Sequence, residues 1–513
     1  MPRIRTLTAL SAAATFLPAV QPHASPATAG PQNLNVLFIV SDDLKPVLGC
    51  YGDPVVRTPN IDRLAERGLV FQRAYAQQAV CSPSRTSLLT GRRPDTTKVY
   101  DLVTHFREAI PDVVTLPQYF KQHGYTTQSL GKIFHPGYDD PQSWTIQNTF
   151  KAAARYSPPA REILAKRLAE NKPGAKIAGL PWESPDVPDN SLTDGSVATE
   201  AVKTLGSLAQ ARRQNDQPFF LAVGFLVPHL PFSAPKKYWD IYCPEDVRLP
   251  ENYRRPTAGE TPYSRTTWSE LRKYAGIPAT GPLTDEQARS MIHGYYACVS
   301  YLDAQIGRLL DALEQQGLAE NTIVVLWGDH GWHLGDHGQW TKHTNFEQAT
   351  HAPLIISAPG AKTAGQKTRA LVEFVDVYPT LAELCGLPAP AGAEGKSLVP
   401  LIESPARKWA PAAFSQYLRS GGIMGYSIRT DRHRYTEWLG PNAETLAREL
   451  YDHETDATED YNIAGRAEHA ALVQQLHAQL EAVLHISTIK RDPTLGTSKA
   501  KKKKAARSLP AID

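Results

Sequence analysis

Asn35-Val36-Leu37-Phe38-Ile39-Val40-Ser41-Asp42-Asp43 is the stretch on which the fold turns. Its apolar, partly β-branched run lacks polar alternation, so it reads as a short strand buried on both faces, as in a parallel sheet covered by helices. The run stops at two adjacent carboxylates, at the strand end where open α/β sheets bind their ligands. Two acids this close repel each other unless a cation neutralises them, and hard cations prefer such oxygens. Asp42 and Asp43 are therefore candidate metal ligands.

The same arrangement recurs along the chain. A strand over 126–130 runs into Gly131-Lys132-Ile133-Phe134-His135-Pro136, and another over 219–226 into Val227-Pro228-His229. A third, 322–327, leads to Gly328-Asp329-His330-Gly331, with Lys342 a glycine-rich loop later, and 353–357 is one more buried strand. Prolines on either side of His229 stop its strand and fix the backbone around it. Between the strands, helices are expected over 58–67, 191–212 and 291–316, the last carrying Tyr295, Val299, Leu302, Ile306 and Leu309 on one face. Such alternation predicts an α/β fold with a mostly parallel sheet between helices. Four strands ending in ionisable groups would converge on one edge of that sheet.

A twelve-residue stretch, Cys81-Ser82-Pro83-Ser84-Arg85-Thr86-Ser87-Leu88-Leu89-Thr90-Gly91-Arg92, belongs beside that edge. Pro83 suits a first helical turn and Leu88-Leu89 a buried face, which places Cys81 just ahead of a helix N-terminus, where anionic groups are favoured. Arg85, one turn on, can point at the same anion. Taken alone, a free cysteine is most often a small buried hydrophobe. The Cys-x-Pro-Ser-Arg and Leu-Thr-Gly-Arg halves, together with Ser41-Asp42-Asp43-Leu44, 131–137, 228–232, 329–332 and 424–430, resemble type I sulfatases of the alkaline phosphatase superfamily, in the iduronate-2-sulfatase branch.

The resemblance covers nearly the whole mature chain and implies an alkaline-phosphatase-like fold. It also implies oxidation of Cys81 to Cα-formylglycine by a formylglycine-generating or anaerobic sulfatase-maturating enzyme. One calcium ion per chain is implied, held by Asp42, Asp43, Asp329, His330 and the modified Cys81; His330 stands where many sulfatases carry asparagine. Arg85, Lys132 and Lys342 would neutralise charge on the sulfuryl group, His229 would protonate the leaving sugar oxygen, and His135 would act as the base that releases sulfate. The branch suggests a 2-O-sulfated uronic acid in an oligo- or polysaccharide, with Arg429 and Arg432 as further cations for its carboxylate. A marine or algal sulfated polysaccharide, a phosphodiester or phosphonate ester, and glycan binding without turnover are the alternatives.

Composition sets bounds. In 513 residues, 42% hydrophobic and 21% charged, no run is long and apolar enough to span a membrane. Residues 1–29 read as a secretory signal, with Arg3 and Arg5 before an apolar stretch and Ala27-Thr28-Ala29 as the cleavage site, so the protein is expected to be exported. The formal charge of +3 drops to about −4 once these arginines and the basic tail from Lys499 onward are removed. That excludes bulk nucleic-acid binding, and anion recognition must be local. Five cysteines are too few for a disulfide framework, and spacing does not decide whether Cys50, Cys243, Cys298 and Cys385 pair. Residues 233–285 look like long substrate-side loops, and 140–190 carry little pattern. His333 and His337 have the i, i+4 spacing of a zinc helix, but Gly331, Gly335 and Gly338 argue against a helix there. The catalytic domain is placed at 30–400. A small α+β subdomain follows at 401–490, with strands over 424–430 and 433–438 and a helix over 464–484, and 491–513 form a basic disordered tail.

Overall fold

The computed structural model describes residues 33–171, 177–254, 258–267 and 269–497. The signal segment expected at 1–29 and the lysines 501–504 lie outside the described residues.

Seven strands form the central sheet: β1 (Asn35–Ser41), β2 (Leu69–Tyr75), β3 (Thr126–Gly131), β4 (Phe219–Phe225), β5 (Thr322–Gly328), β6 (Leu354–Ser357) and β7 (Lys367–Glu373). Their order is β7-β2-β6-β5-β1-β4-β3. The neighbours β5, β1, β4 and β3 are all parallel, and only β6 runs against its partners. Every residue of β1, β4 and β5 is buried, as uninterrupted apolar runs require when both faces are covered.

Alternate side chains feed two cores. Leu37, Ile39, Leu221, Val223 and Leu326 pack with helices α1 (Pro59–Arg67), α5 (Thr193–Asn215) and α6 (Asp285–Gln315). Val36, Phe38, Val40, Phe220 and Trp327 pack on the other face with α2 (Cys81–Thr90), α3 (Leu116–Gln122) and α7 (Val377–Leu384). The result is a three-layer α/β/α domain, and its core includes Leu401 and Ile402, just past the boundary expected at 400. Among the described residues the patternless 140–190 region contains one α-helix, α4 (Pro158–Ala169), which shows no apolar stripe because its only buried residue is Ala160.

The second domain is a four-stranded antiparallel sheet of β8 (Ala412–Arg419), β9 (Ile423–Thr430), β10 (His433–Leu439) and β11 (Thr445–Asp452), covered by α8 (Ala470–Leu484). The β9–β10 hairpin matches the expected pair of strands. The helix starts six residues later than expected, because 464–469 fold as a turn and a short 3-10 segment. The disordered tail expected from 491 is also corrected. Arg491 is buried and donates to the carbonyls of Gly422 (2.9 Å), Leu439 (3.3 Å) and Gly440 (2.7 Å), so the domain extends to at least 497.

Candidate active site

Four parallel neighbours in one sheet place four strand ends side by side, and the loops beyond them carry the expected groups. Asp42 and Asp43 follow β1, Lys132 and His135 follow β3, His229 follows β4, and Asp329 and His330 follow β5. Lys132 can leave its strand at once because Gly131 has φ 69° and lies flat against β4, where an added Cβ would sit 2.0 Å from the Gly224 carbonyl. Cys81 opens α2 with Val80 as N-cap, one position deeper than a residue ahead of the helix. The helix ends at Gly91, whose left-handed backbone satisfies the last carbonyls.

The carboxylates at the centre are fully buried. Asp329 accepts the backbone N–H groups of Asp43 and His330, each at 3.0 Å, and Arg85 Nε at 2.9 Å. Asp42 accepts from Lys132 Nζ and, at 3.4 Å, from Arg85 Nη2. The remaining Arg85 donors go to the carbonyls of Lys132 and Ile133. All of this buried guanidinium is thus turned on the carboxylates and the backbone behind them, and Arg85 acts on the pocket through Asp42 and Asp329.

Cys81, 2% exposed, lies 3.4 Å from His330 Nε2. One ligand atom from each of Asp42, Cys81, Asp329 and His330 falls within 4.8 Å of the other three. Asp43 Oδ1 is buried with no hydrogen-bond donor. His330 Nδ1 sits 3.0 Å from the Gly331 carbonyl and donates there, which leaves the lone pair of Nε2 facing Asp43 Oδ1 at 3.4 Å and Asp329 Oδ1 at 3.6 Å. A lone pair among buried carboxylate oxygens calls for a cation. Three carboxylates and one imidazole suit a hard divalent ion better than zinc.

Around this centre stand the other cations. Lys342 donates to Asp43 Oδ2 (2.9 Å) and Glu270 (3.0 Å) and lies 4.9 Å over the Trp332 ring. His229 Nδ1 is 2.7 Å from the Leu230 carbonyl, and Nε2 is 3.1 Å from Glu270 and 3.8 Å from Asp43. Burial would lift the Glu270 carboxyl, but Lys342 and His229 overcome it and hold the group well below the usual carboxylate range. Glu270 belongs to the loops at 233–285 and was invisible in the sequence, since no motif surrounds it. Burial first, and then the Lys132 charge, push His135 down to about 3 and keep it a neutral base. Burial and the Asp42 carboxylate push the Cys81 thiol well up, so an unmodified Cys81 stays protonated and is a poor nucleophile.

Some expected groups lie elsewhere. Arg429 binds Glu347 (3.1 Å) and His453 (2.9 Å), and Arg432 binds Asp452 and Glu454, so neither is drawn to Cys81. Arg429 instead joins Arg434, Glu347 and Glu459 in a buried network tying the second sheet to the first domain. His333 and His337 form no zinc helix. The first bonds to Thr344 from a two-residue strand, while the second has φ 54° and reaches Asp460. All five cysteines are free thiols.

The chain is similar to known proteins over most of its length. The family model Sulfatase matches residues 34–387, and that of the N-sulphoglucosamine sulphohydrolase C-terminal region matches 335–485. Human iduronate 2-sulfatase is 37% identical over 86% of this chain and 93% of its own length, and the mouse protein is equally similar. A sulfatase from Formosa agariphila is 32% identical over 87% of this chain and 86% of its own. Among solved structures, one in complex with its substrate D-glucosamine-2-N,6-O-disulfate superposes with TM-score 0.71 at 23% identity, covering 90% of this chain and 99% of that one. The phosphonate monoester hydrolase of Agrobacterium radiobacter gives 0.70 at 24%, covering 91% and 98%.

Proposed function

The chain belongs to the sulfatase family, in its iduronate-2-sulfatase branch, and on that premise we propose that it removes the 2-O-sulfate from a uronic acid at the end of a glycan, outside the cytoplasm. The observation that carries the reading is the buried constellation itself. Cys81, Asp42, Asp329 and His330 converge within 4.8 Å, with Lys132, Lys342 and His229 grouped around them.

Two groups complete the site. Cα-formylglycine at position 81 supplies, once hydrated, a hydroxyl nucleophile that a protonated thiol cannot match. Calcium would be held by Asp42, Asp43, Asp329 and His330 and would supply positive charge to neutralise the sulfate. The rest falls to side chains of the chain. Lys132, on Asp42, and Lys342, on Asp43, add charge that a bound sulfate meets on entry. His229, with Nδ1 fixed on Leu230, presents Nε2 to the departing sugar oxygen and gives it a proton. His135, held neutral, accepts the proton whose removal frees the sulfate. Arg85 keeps Asp42 and Asp329 in place.

The test combines chemistry with substrate choice. Peptide mass spectrometry of protein made with a maturation enzyme should find formylglycine at 81. Desulfation should be fast on 2-O-sulfated iduronate or glucuronate oligosaccharides, slow on sulfated galactose or fucose, and absent in Cys81→Ala. Turnover of the neutral sugars alone would refute the uronate assignment and leave the sulfatase intact.

A further inference from the structure

An open groove of about 960 Å³ lies where the outer edge of the central sheet meets the second domain. Its walls carry Arg73, Lys362, Lys367, Arg369, Arg407 and Lys408, against only Glu403 and Asp431. This is a concentrated positive surface on a body whose net charge is slightly negative.

Four separate segments build it. Arg73 comes from β2 and is fixed by Asp431 (2.6 Å) and the Arg369 carbonyl (2.5 Å), and Lys367 is fixed by the Cys50 carbonyl (2.6 Å). Arg369 sits in an irregularity of β7, where the register with β2 shifts between Thr368 and Leu371. Such a bulge re-aims side chains at a sheet edge. Lys362, Arg369, Arg407 and Lys408 are exposed and make no ion pair among the described residues. Positive charge on an edge strand alone would serve to block strand pairing. Here Lys362, Arg407 and Lys408 lie off the strands altogether, and Trp409, with Pro405 and Pro411, adds an apolar wall between the charges.

Cations that present several N–H donors to sulfate or carboxylate oxygens, alternating with an aromatic face for a sugar ring, match an acidic polysaccharide. Strand order separates this groove from the catalytic edge. β7 stands four strands from β1, or about 19 Å at the usual strand spacing. We propose that the groove is an accessory site for the sulfated, carboxylate-bearing backbone of a long glycan, which tethers polymeric substrate to the enzyme. The choice of ligand rests on the sulfatase reading, while the site itself rests on the groove.

Binding and turnover separate the two. Full-length protein would be titrated with a heparin-derived dodecasaccharide at two salt concentrations, and KM measured on that chain and on a 2-O-sulfated disaccharide. Triple replacement Arg369→Ser, Arg407→Ser, Lys408→Ser should weaken dodecasaccharide binding about tenfold or more, with a shallower salt dependence. It should raise KM on the long chain and leave the disaccharide untouched. Trp409→Ala should weaken the glycan but not a DNA duplex of matched charge. Unchanged dodecasaccharide affinity in the triple variant, or an equal loss on the disaccharide, overturns the proposal. Duplex DNA bound as tightly as the glycan, and equally indifferent to Trp409, overturns the glycan assignment. Binding without any desulfation would sink the catalytic reading and leave the groove standing.

Discussion

Arg85→Met tests the reading of the buried centre most sharply. Methionine fills much of the arginine's volume but removes every donor. Asp329 loses its 2.9 Å partner, Asp42 loses one at 3.4 Å, and two buried carbonyls lose theirs. Removing one member of a buried ion pair costs about 3–5 kcal/mol, because the other charge is left without compensation. Lys132 still holds Asp42, so the middle of that range, about 4 kcal/mol, is expected. At roughly 2 cal/mol/K per residue, unfolding 513 residues carries about 1 kcal/mol/K of entropy, so the metal-free variant should melt about 4 °C below the parent. Added calcium would neutralise the same carboxylates and recover part of that loss, so the calcium-induced rise in Tm should be larger in the variant. Arg85→Lys, which keeps the charge on one ammonium head, should fall in between. Differential scanning calorimetry with chelator and with calcium reads all of this. If chelated Arg85→Met melts within a degree of the parent, Arg85 does not hold the carboxylates and the reasoning fails.

Three further outcomes follow from the same geometry. Asp329→Ala should lose bound calcium, near one per chain in the parent by elemental analysis, and a variant that keeps it would remove Asp329 from the ligand set. His229→Ala should slow sugar sulfates by about 100-fold but activated aryl sulfates far less, since only a poor leaving group needs a proton; equal losses on both would refute the general-acid role. Burial, reinforced by His337, pushes His333 down to about 3, whereas unfolded it titrates near 6.5. The unfolded chain therefore binds this proton first as the pH falls, and stability drains away between 6.5 and about 3. At pH 5 the loss is about 2 kcal/mol, so His333→Gln should lose about 2 °C less between pH 7 and 5, and an unchanged pH dependence would contradict the assignment.

The sheet and its catalytic edge were legible because each strand is a short apolar run that ends in a turn and an ionisable group. Periodicity marks the strand, and parallel topology then forces the ends together, so Asp42, Lys132, His229 and Asp329 could be grouped before any contact was known. Regions with no period gave nothing. The helix Pro158–Ala169 buries one alanine and so shows no face. Arg491 looked like the start of a basic tail because its partners are backbone carbonyls of Gly422, Leu439 and Gly440, which carry no sequence signature.

What stays hidden within the site has one physical origin, which is that charge balance is a property of the assembled pocket. Lys342 was legible as a cation, but its environment depends on Glu270, which arrives from a loop about 70 residues away and binds His229 as well. That carboxylate touches His229, the group assigned to the leaving oxygen, and Lys342, so it competes with a sulfated sugar for both. A substrate that brings its own carboxylate is repelled by this anion, and a neutral sugar is not. The cations near Cys81 are matched mostly by carboxylates of the protein, while Arg429 and Arg432 are engaged in and around the second sheet. If the substrate is the uronate proposed above, its carboxylate would compete with Glu270 for Lys342 on one side and His229 on the other. On that reading, substrate choice between acidic and neutral sugars would be set by the loop that carries Glu270 as much as by the strand ends that carry the chemistry.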